Sequence, residues 1–459
     1  MELNDKKVTV VGLGISGRAA SLLLREKGAV VYATDSSISD ELKATKSELE
    51  EKGISVELEK YTEEFIKVAE LMVVSPGVKD DSPLIQAARA NSIPVISEIE
   101  LGYLSCKAPI IAVTGTNGKT TTVTLIDLML KASGKDSLLC GNIGEAFCEE
   151  AADTTNEQVV VLEVSSFQLK RIRDFRPKVA CITNITQNHF DWHPDFKDYF
   201  DSKKNIYKNQ KEDDFVLLNF DDDNLRALDE KIASKCYFFS TSDKVNGAYC
   251  EGERLFLDID GKKDNICSIK DIKLKGEHNI SNILSACLSA HFQGATVEAM
   301  KEVLHTFKGL DHRFERVAEI NGVEFIDDSK ATTVDACRAA LSSCAGKEVI
   351  LIAGGRDKGS DFTSIKELIA DKVKSLVLIG EAKEKIRRSL KGSVEISDAD
   401  DMNKAVSISL DKASTGDIVL LSPMCASFDM YKDYKERGDI FKESVASLKA
   451  GIAASLHSS

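Results

Sequence analysis

The chain has 459 residues and a formal net charge of −14, and 43% of its residues are hydrophobic and 29% charged. This composition is typical of a soluble globular protein of about two to four domains, and the acidic balance argues against general nucleic-acid binding. The sequence has no apolar run of the roughly 18 residues that a membrane span needs, and its charged N-terminus leads directly into a predicted strand, so we expect neither a membrane partner nor a signal peptide. Eleven cysteines without a CxxC pair favour reduced thiols and a cytoplasmic location.

The first predicted elements form a Rossmann-like fingerprint. A strand at residues 7–11 precedes the turn Gly-Leu-Gly-Ile-Ser-Gly at residues 12–17, a helix follows, and the next strand leads to Asp35. In this pattern the glycines bring a helix N-terminus to a diphosphate, and the acid meets a ribose or a base. Taken alone, the pattern predicts a nicotinamide or flavin enzyme. We rank that interpretation second, because the segment is too short for a full dinucleotide fold, and we expect a domain of residues 1–104 that binds one nucleotide.

Two more predicted strands complete this domain. The third covers residues 71–74 and ends in the turn Ser-Pro-Gly at residues 75–77, and the fourth covers residues 93–96. The Ser-Pro-Gly turn either contacts the nucleotide or only ends a strand.

A glycine-rich loop follows the next apolar run. Residues 108–113 predict a buried strand, and Thr-Gly-Thr-Asn-Gly-Lys-Thr at residues 114–120 separates that strand from a helical pattern. The glycines allow a tight turn with N–H groups pointing inward, Lys119 adds a positive charge, and Thr120 offers a hydroxyl to a metal. This arrangement predicts a nucleoside triphosphate site, although only two residues separate Gly115 from Gly118, fewer than in the usual P-loop.

Two further strands bring polar residues toward this loop. Residues 136–140 lead into Gly-Asn-Ile-Gly at residues 141–144, and residues 158–162 lead into Glu163. A carboxylate at the end of a buried strand beside a P-loop is where a magnesium ligand is expected. The alternative is an acid that only meets solvent at the strand end.

The rest of the predicted central domain, residues 105–309, contains three weaker signals. His189 follows a strand, and its spacing alone gives it no role. Lys203 lies on a predicted helix whose lysines are otherwise a solvated face. Asn279 and Asn282 fall on the first turns of an Ala- and Leu-rich helix, where they are also suited to capping.

The last predicted domain, residues 310–459, begins after a hinge at Gly309. Its strands end in Asp-Asp-Ser-Lys-Ala-Thr at residues 327–332, Gly-Gly-Arg-Asp-Lys at residues 354–358 and Ser-Pro-Met-Cys-Ala-Ser-Phe-Asp at residues 422–429. Polar residues at the carboxyl ends of strands are typical of an open parallel sheet that binds ligands there. We therefore predict a second Rossmann-like domain, and an α/β chain of three domains. Arg313, beside the hinge, equally suits a surface salt bridge.

Taken in order, these motifs resemble those of the Mur ligases, a family of ATP-dependent amide-bond-forming enzymes. The P-loop, the Gly-Asn-Ile-Gly turn, the Glu-Val-Ser-Ser-Phe-Gln-Leu segment at residues 163–169, His189 and the Lys203 helix occur in the order of the family's central domain. The resemblance implies ATP and Mg²⁺ or Mn²⁺ as cofactors. The implied ATP-binding residues are Gly115, Thr116, Asn117, Gly118, Lys119, Thr120, Thr121, Asn279, Asn282, Arg313 and Asp328.

The resemblance also implies a metal centre held by Thr120, Glu163, His189 and Lys203. In the family, the lysine at the Lys203 position is carbamylated by CO₂, which converts an amine into the oxygen ligand that magnesium prefers. The implied catalytic residues are Lys119, His189, Lys203, Arg313 and Lys330.

The C-terminal motifs are most similar to those of Mur ligases that add D-glutamate. The implied D-glutamate-binding residues are Lys330, Thr332, Lys358, Ser427 and Phe428, with Tyr434 as a neighbour, and the roles of Arg356 and Asp357 stay open. The first domain is expected to hold the uridine diphosphate of UDP-N-acetylmuramoyl-L-alanine. The residues implied for that substrate are Gly14, Ile15, Ser16, Gly17, Asp35, Ser36, Ser75, Gly77 and Asn142.

The implied activity is transfer of the ATP γ-phosphate to a carboxylate, followed by attack of the D-glutamate amine on the acyl phosphate, in peptidoglycan precursor synthesis. We expect a monomer with small-molecule partners. A folylpolyglutamate synthase is an alternative, but it has no use for the N-terminal glycine turn, so tight UDP binding separates the two. A nicotinamide oxidoreductase leaves the P-loop unused, and a non-catalytic nucleotide-binding module binds ATP without releasing phosphate.

Overall fold

The computed structural model describes residues 2–59, 63–186, 192–228, 232–274, 276–344, 346–357 and 360–457. The chain forms two compact units. One unit consists of Met1–Leu274 with His278–Phe307, and the other of Lys275–Glu277 with Lys308–Ser459. Among the described residues, no helix combines the length and the apolar character that crossing a membrane requires.

The first unit begins with a five-stranded parallel sheet in the order β3-β2-β1-β4-β5. Its elements are β1 (Lys7–Val11), α1 (Ile15–Glu26), β2 (Val30–Asp35), α2 (Asp40–Glu51), β3 (Ser55–Leu58), α3 (Glu63–Lys67), β4 (Leu71–Val74), α4 (Pro83–Ala90), β5 (Val95–Ser97) and α5 (Glu98–Ser105). The prediction of four strands was wrong, because β3 was missed. That strand has four residues and lies at the sheet edge, so its partly buried residues give only a weak alternating pattern.

The second sheet of this unit has nine strands in the order β14-β13-β12-β11-β10-β9-β6-β8-β7. Its strands are β6 (Ile110–Thr114), β7 (Ser137–Gly141), β8 (Val159–Glu163), β9 (Val179–Ile182), β10 (Phe215–Asn219), β11 (Lys235–Ser240), β12 (Gly247–Glu251), β13 (Arg254–Ile259) and β14 (Lys262–Ser268). The helices are α6 (Lys119–Ala132), α7 (Phe147–Glu150), α8 (Ser166–Leu169), α9 (Phe196–Lys204), α10 (Asp223–Arg226), α11 (Glu277–His291) and α12 (Val297–Thr306). Neighbouring strands are parallel except for the β12-β13 and β13-β14 pairs.

Both faces of the nine-stranded sheet are covered, and β6 shows why its sequence is an unbroken apolar run. Ile111 and Val113 pack into the core beneath α6 and α11, whereas Ile110 and Ala112 pack into the core on the opposite face. All five residues of β6 are buried. A central parallel strand of this kind must be apolar on both faces, so the polar residues lie just after its carboxyl end.

The second unit contains a six-stranded sheet in the order β15-β16-β20-β17-β18-β19. The strands are β15 (Glu315–Ile320), β16 (Val323–Asp327), β17 (Val349–Gly354), β18 (Val373–Ile379), β19 (Glu395–Asp398) and β20 (Ile418–Leu421), and the helices are α13 (Val334–Ser342), α14 (Lys366–Lys372), α15 (Lys383–Ser389), α16 (Met402–Lys412) and α17 (Tyr434–His457). Only β15 is antiparallel to its neighbour within this sheet, so the other strands present their carboxyl ends at one edge. The predicted second parallel α/β domain is confirmed.

Candidate nucleotide and substrate sites

The loop between β6 and α6 has the tight backbone that its glycines predict. Gly115 and Gly118 have φ angles of 149° and 84°, which side chains rarely allow. A β-carbon on Gly115 would lie 1.9 Å from Thr183 Oγ1, so the space there is filled as well. Helix α6 begins at Lys119, which turns its first N–H groups toward the loop and favours a phosphate at this point.

Thr183 and Asn184 support this loop, and sequence reasoning gave them no role. Thr183 Oγ1 donates to the main-chain oxygen of Asn117 at 2.6 Å, and the Asn117 N–H donates to Asn184 Oδ1 at 2.9 Å. The N–H of Thr116 donates to the Asn184 main-chain oxygen at 2.8 Å. The signal for this role was the position of both residues directly after β9, the strand beside β6.

Two lysines meet at the same carbonyl group of the loop. Lys119 Nζ and Lys203 Nζ donate to the main-chain oxygen of Gly115 at 2.9 and 2.7 Å. Lys119 also donates to the Thr116 oxygen at 3.0 Å. Burial lowers the pKa of Lys203 well below its usual value, and the nearby charge of Lys119 lowers it further, while Glu163 opposes both effects. Burial at this position therefore favours the neutral form of the Lys203 amine over the charged form.

Glu163 presents a buried carboxylate beside the P-loop. It lies at the end of β8 and is 2% exposed. Oε1 accepts a hydrogen bond from Asn142 Nδ2 at 2.8 Å, whereas Oε2 is buried and has no hydrogen-bond partner among the described residues. A buried carboxylate oxygen in this state is costly unless a cation compensates it. A carboxylate oxygen of this kind suits a hard divalent cation. Thr120, the predicted hydroxyl ligand, is buried in the first turn of α6. His189, predicted as a further ligand, lies outside the described residues.

Helix α11 brings its first turns to the P-loop. Asn282 Nδ2 donates to Asn279 Oδ1 at 3.1 Å, and both side chains are buried. A β-carbon on Gly118 would lie 2.1 Å from Asn282 Oδ1. The structure thus places these two asparagines beside the loop, where they were predicted to contact ATP.

The glycine turn of the N-terminal domain lies at the point where the strand order reverses, between β1 and β4. Asp35 accepts hydrogen bonds from the N–H of Leu13 at 2.7 Å and of Ser37 at 2.9 Å, and Ser75 Oγ donates to the Gly12 oxygen at 2.7 Å. Asp35 and Ser75 therefore brace the turn, and any ligand contact is additional. At the start of α1, Ile15 is 67% exposed and offers an apolar surface, and the N-cap residue Gly14 has no side chain to cap the helix N–H groups.

In the second unit, Arg437 joins the loops that follow β16 and β20. Its Nε and Nη2 donate to Ser329 Oγ at 3.0 Å and to the Ser329 oxygen at 2.8 Å, and Nη1 donates to the Cys425 oxygen at 3.1 Å. Burial lowers the pKa of Arg437 to about 10. Lys330 Nζ lies 4.0 Å from the ring centroid of Tyr434, and Ser329 Oγ donates to the Tyr434 oxygen at 2.8 Å. This unit brings together two residues predicted to bind D-glutamate, Lys330 and Tyr434, and an arginine that sequence reasoning missed holds the neighbouring Ser329.

The remaining predicted D-glutamate residues differ in exposure. Ser427 is buried and Phe428 is 56% exposed, whereas Lys358 lies outside the described residues. Arg356 and Asp357, whose roles the sequence left open, form ion pairs: Arg356 with Glu381 at 3.0 Å, and Asp357 with Lys385 at 2.6 Å.

Arg313 lies between two residues with left-handed backbone. His312 and Phe314 have φ angles of 61° and 47°, a conformation that such side chains seldom adopt. His312 Nδ1 lies 2.7 Å from Asp327 Oδ2, and the Phe314 N–H donates to Asp328 Oδ1 at 3.2 Å. Burial raises the pKa of Asp328 to about 7. The two aspartates at the end of β16 thus fix the conformation that presents Arg313.

His312, Glu315 and Asp327 also bring one potential metal-ligand atom each within 4.8 Å of one another. Lys442 Nζ lies 2.6 Å from Glu315 Oε2, and the His312 ring already hydrogen-bonds to Asp327. These contacts make the group an ion-pair cluster that supports the Arg313 segment.

These sites define a modular nucleotide-dependent enzyme, in which a P-loop domain with a strand-end carboxylate lies between two parallel α/β domains in the sequence. Comparison with known families agrees. Residues 6–97 match the Mur ligase MurD-like N-terminal domain, residues 113–290 the Mur ligase middle domain, and residues 312–425 the Mur ligase glutamate ligase domain. The chain belongs to the Mur ligase family, and the predicted three-domain α/β fold is confirmed.

Curated relatives match along almost the whole chain. A protein of Thermoanaerobacter sp. (strain X514) and one of Lactococcus lactis subsp. lactis (strain IL1403), both named UDP-N-acetylmuramoylalanine–D-glutamate ligase, are each 40% identical over 454 residues. The alignments cover 98% of this chain and 100% and 99% of the relatives.

Solved structures show the same fold at low sequence identity. UDP-N-acetylmuramate-alanine ligase MurC from Thermotoga maritima has a TM-score of 0.57 at 20% identity, covering 96% of this chain and 100% of that one. The MurF ligase from Thermotoga maritima, in complex with ADP, has a TM-score of 0.59 at 15% identity, covering 97% and 99%.

Proposed function

We propose that this protein is an ATP-dependent ligase that adds D-glutamate to UDP-N-acetylmuramoyl-L-alanine, releasing ADP and phosphate. The observation that carries the proposal is a buried oxygen of Glu163 that has no hydrogen-bond partner among the described residues. It lies beside a glycine loop to which Lys119 and Lys203 both donate. This arrangement suits a triphosphate with a divalent cation. The choice of substrates is supported by the names of relatives that are 40% identical over nearly the whole chain.

The first chemical step is transfer of the ATP γ-phosphate to the substrate carboxylate. The N–H groups at the start of α6 and the Lys119 ammonium stabilise the negative charge that spreads over the phosphate oxygens. The carboxylate oxygen bonds to phosphorus as the bond to ADP breaks, and the product is an acyl phosphate. Arg313, predicted to reach ATP, adds positive charge on the phosphate side.

The second step joins the amino acid. The D-glutamate amine attacks the acyl carbon, phosphate leaves, and the amine loses a proton. The Lys330 ammonium, held beside the Tyr434 ring, is suited to pair with a carboxylate of D-glutamate, and Thr332 follows on the same loop. Arg437 holds that loop in place through its hydrogen bonds to Ser329. The uridine diphosphate is assigned to the N-terminal domain, where the start of α1 faces the reversal point of the strand order.

A divalent cation, Mg²⁺ or Mn²⁺, would be held by Glu163 and Thr120, with His189 as a further predicted ligand. When bound, the cation neutralises phosphate charge and polarises the phosphoryl oxygen. We also propose that Lys203 reacts with CO₂: its neutral amine forms an N–C bond, loses one proton and becomes a carbamate anion. The low pKa of the buried amine supports this step, because only a neutral amine is nucleophilic.

We further propose that the protein acts as a cytoplasmic monomer on small-molecule substrates. All eleven cysteines lie in the part of the chain that the structure describes, and each is a free thiol, which suits a reducing compartment. Size-exclusion chromatography with light scattering at micromolar concentration tests the oligomeric state.

Phosphate release by the purified protein tests the main proposal. With ATP, Mg²⁺ and UDP-N-acetylmuramoyl-L-alanine, we expect release with D-glutamate and at least about tenfold less with L-glutamate, L-alanine or a diamino acid. Release that does not depend on the uridine substrate, or that favours another amino acid, would contradict the proposed function.

The carbamate has its own test. Lys203→Ala should lose activity and regain part of it when formate or acetate is added, because a small carboxylate replaces the missing anion. The adjacent Lys204→Ala is the control and should stay close to wild type without any additive. Failure of rescue, with ATP binding intact, would count against the carbamate.

A further inference from the structure

Asp80 links the N-terminal domain to two cations of the middle domain. It lies three residues after the predicted substrate turn Ser75-Pro-Gly77, and Lys170 Nζ and Arg171 Nη2 are each 3.0 Å from its carboxylate oxygens. Arg171 Nη2 also donates to the Val78 oxygen at 2.9 Å. Burial alone would disfavour the carboxylate, but the hydrogen bond from Lys170 and the charge of Arg171 lower the pKa of Asp80, so it is ionised at neutral pH.

Lys170 reaches in the opposite direction as well. Its Nζ donates to both carboxylate oxygens of Asp198 at 2.7 Å, and Asp198 lies on α9, five residues before Lys203. Asp198 Oδ2 lies 2.6 Å from His193 Nδ1. His193 Nε2 lies 2.9 Å from the hydroxyl of Ser166, which follows Glu163 by three residues. One ammonium therefore connects the substrate turn with both segments that carry predicted metal ligands.

The backbone near Lys170 is held in place by α5, the helix that connects the two sheets of this unit. The Ser97 N–H, at the start of α5, donates to the Arg171 oxygen at 3.0 Å. Glu100 is fully buried, and its carboxylate accepts the N–H groups of residues 173, 174 and 175 at 2.8, 2.8 and 3.0 Å. These bonds fix the backbone from which Lys170 extends.

Isolated salt bridges on a protein surface contribute little, because two long side chains must be ordered in water. The Lys170 cluster differs in two respects. Its side chains are 19% (Lys170), 27% (Asp198) and 31% (Asp80) exposed, and a single cation is shared by carboxylates of two domains. The cluster is therefore expected to affect where the domains lie more than how stable each domain is.

We propose that Lys170 is a positioning residue that sets the substrate turn of the N-terminal domain in register with the Glu163 and Lys203 segments of the middle domain. The inference rests on the proposed function, in which the N-terminal domain binds the uridine nucleotide and the middle domain binds ATP. The carboxylate must then meet the γ-phosphate at about 3 to 3.5 Å, and an error of about 1 Å can cost about 10²-fold in rate.

Lys170→Met in the full-length protein tests this role. We expect kcat for phosphate release to fall at least about tenfold, while equilibrium titrations with UDP alone and with ATP alone give dissociation constants within about twofold of wild type and one site per chain. Full binding stoichiometry shows that the variant is folded, so the loss is not a loss of active molecules. Lys170→Arg, which keeps the charge, should recover most of the rate.

Asp80→Asn removes the charge on the N-terminal-domain side of the same ion pair. It provides the test if the Lys170→Met variant does not fold. The two changes should be non-additive: the double variant should be no slower than the slower single variant, within about twofold. Arg89→Met is the matched control, because Arg89 Nη2 also lies 3.0 Å from Asp80, yet it belongs to the N-terminal domain and is 56% exposed. It should leave kcat within about twofold of wild type.

Three results would overturn the positioning role: near-normal kcat for Lys170→Met, additive effects with Asp80→Asn, or an equal loss for Arg89→Met. The wild-type protein in the same assay separates this inference from the proposed function. If the wild type shows no phosphate release that depends on D-glutamate, the proposed function fails, and the positioning role fails with it. If the wild type is active and Lys170→Met is unaffected, only the positioning role fails.

Discussion

Asn282 packs directly against Gly118: a β-carbon at residue 118 would lie 2.1 Å from Asn282 Oδ1. Asn282 has little freedom to retreat, because it is buried and its amide donates to Asn279. The P-loop and the first turns of α11 are therefore fitted to each other, and the fit depends on the absence of a side chain at Gly118.

Gly118→Ala should weaken ATP binding at least about tenfold, since a methyl group must displace Asn282 and the backbone is left-handed at φ 84°. Gly134→Ala separates the two causes. Gly134 has a similar φ of 73°, but nothing lies within 4 Å of a β-carbon there. Both variants share the backbone strain of about 1 kcal/mol, and only Gly118→Ala should change the dissociation constant for ATP, measured by calorimetry. Equal ATP affinities would contradict the steric explanation.

Lys119→Ala should lower kcat for phosphate release by at least about 10²-fold, the scale of losing one preorganised donor to a developing negative charge. Lys131→Ala is a control on the same helix, where the lysine pairs with Asp127 and is 53% exposed. It should change kcat by less than about twofold. A well-folded Lys119→Ala enzyme with near-normal turnover would remove Lys119 from the phosphate site.

The sequence predicted those features that depend on local patterns. The apolar run of β6, the glycines after it and the helix that follows were identified because strand, turn and helix each have a local signature. The same holds for the Asn279 helix and for the parallel sheet of the second unit, where polar residues follow apolar strands. The short edge strand β3 was missed because its pattern is barely distinguishable from a loop.

The unpredicted parts depend on contacts between residues far apart in the sequence. Asn184 supports Asn117 across 67 residues, and Arg437 holds Ser329 across 108 residues. Arg437 appears in the sequence as one more charged residue in an amphipathic helix, and only the fold shows that it is fully buried. Asp35 shows the intermediate case: the sequence placed it at the end of the second strand, as the structure does, but did not indicate its hydrogen bonds to the N–H groups of Leu13 and Ser37.

Arg437→Lys should raise KM for D-glutamate at least about fivefold. A lysine keeps the charge but cannot make the forked contacts to Ser329 and Cys425, so the loop that carries Lys330 loses its support. The dissociation constant for UDP, which is assigned to the other unit, should stay unchanged. Arg388→Lys is the control, because it makes the same change at an exposed position. The measurement is steady-state phosphate release at varied D-glutamate, and an unchanged KM would show that the loop does not need the guanidinium.

Glu98→Gln should stabilise the protein at high pH. Glu98 is 1% exposed, Oε1 accepts the Cys148 N–H at 2.7 Å, and Oε2 has no partner among the described residues. Burial raises the pKa of Glu98 to about 7. Folding therefore favours the protonated acid. Below pH 4.5 both folded and unfolded chains are protonated and nothing is lost, whereas stability falls as the pH rises from about 4.5 to about 7 and stays lower above it.

Glutamine cannot ionise, so its stability relative to wild type should grow by about 2 to 3 kcal/mol between pH 5 and pH 8. Urea unfolding at the two pH values measures this difference. Any cost of fitting the amide is the same at both pH values and cancels from the comparison. Glu145→Gln, at an exposed position in the same compact unit, should shift the free energy of unfolding by less than about 0.5 kcal/mol at either pH. If the free energies of unfolding of Glu98→Gln and the wild type differ by the same amount at pH 5 and at pH 8, Glu98 remains ionised in the folded protein. A cation or a water molecule must then contact Oε2.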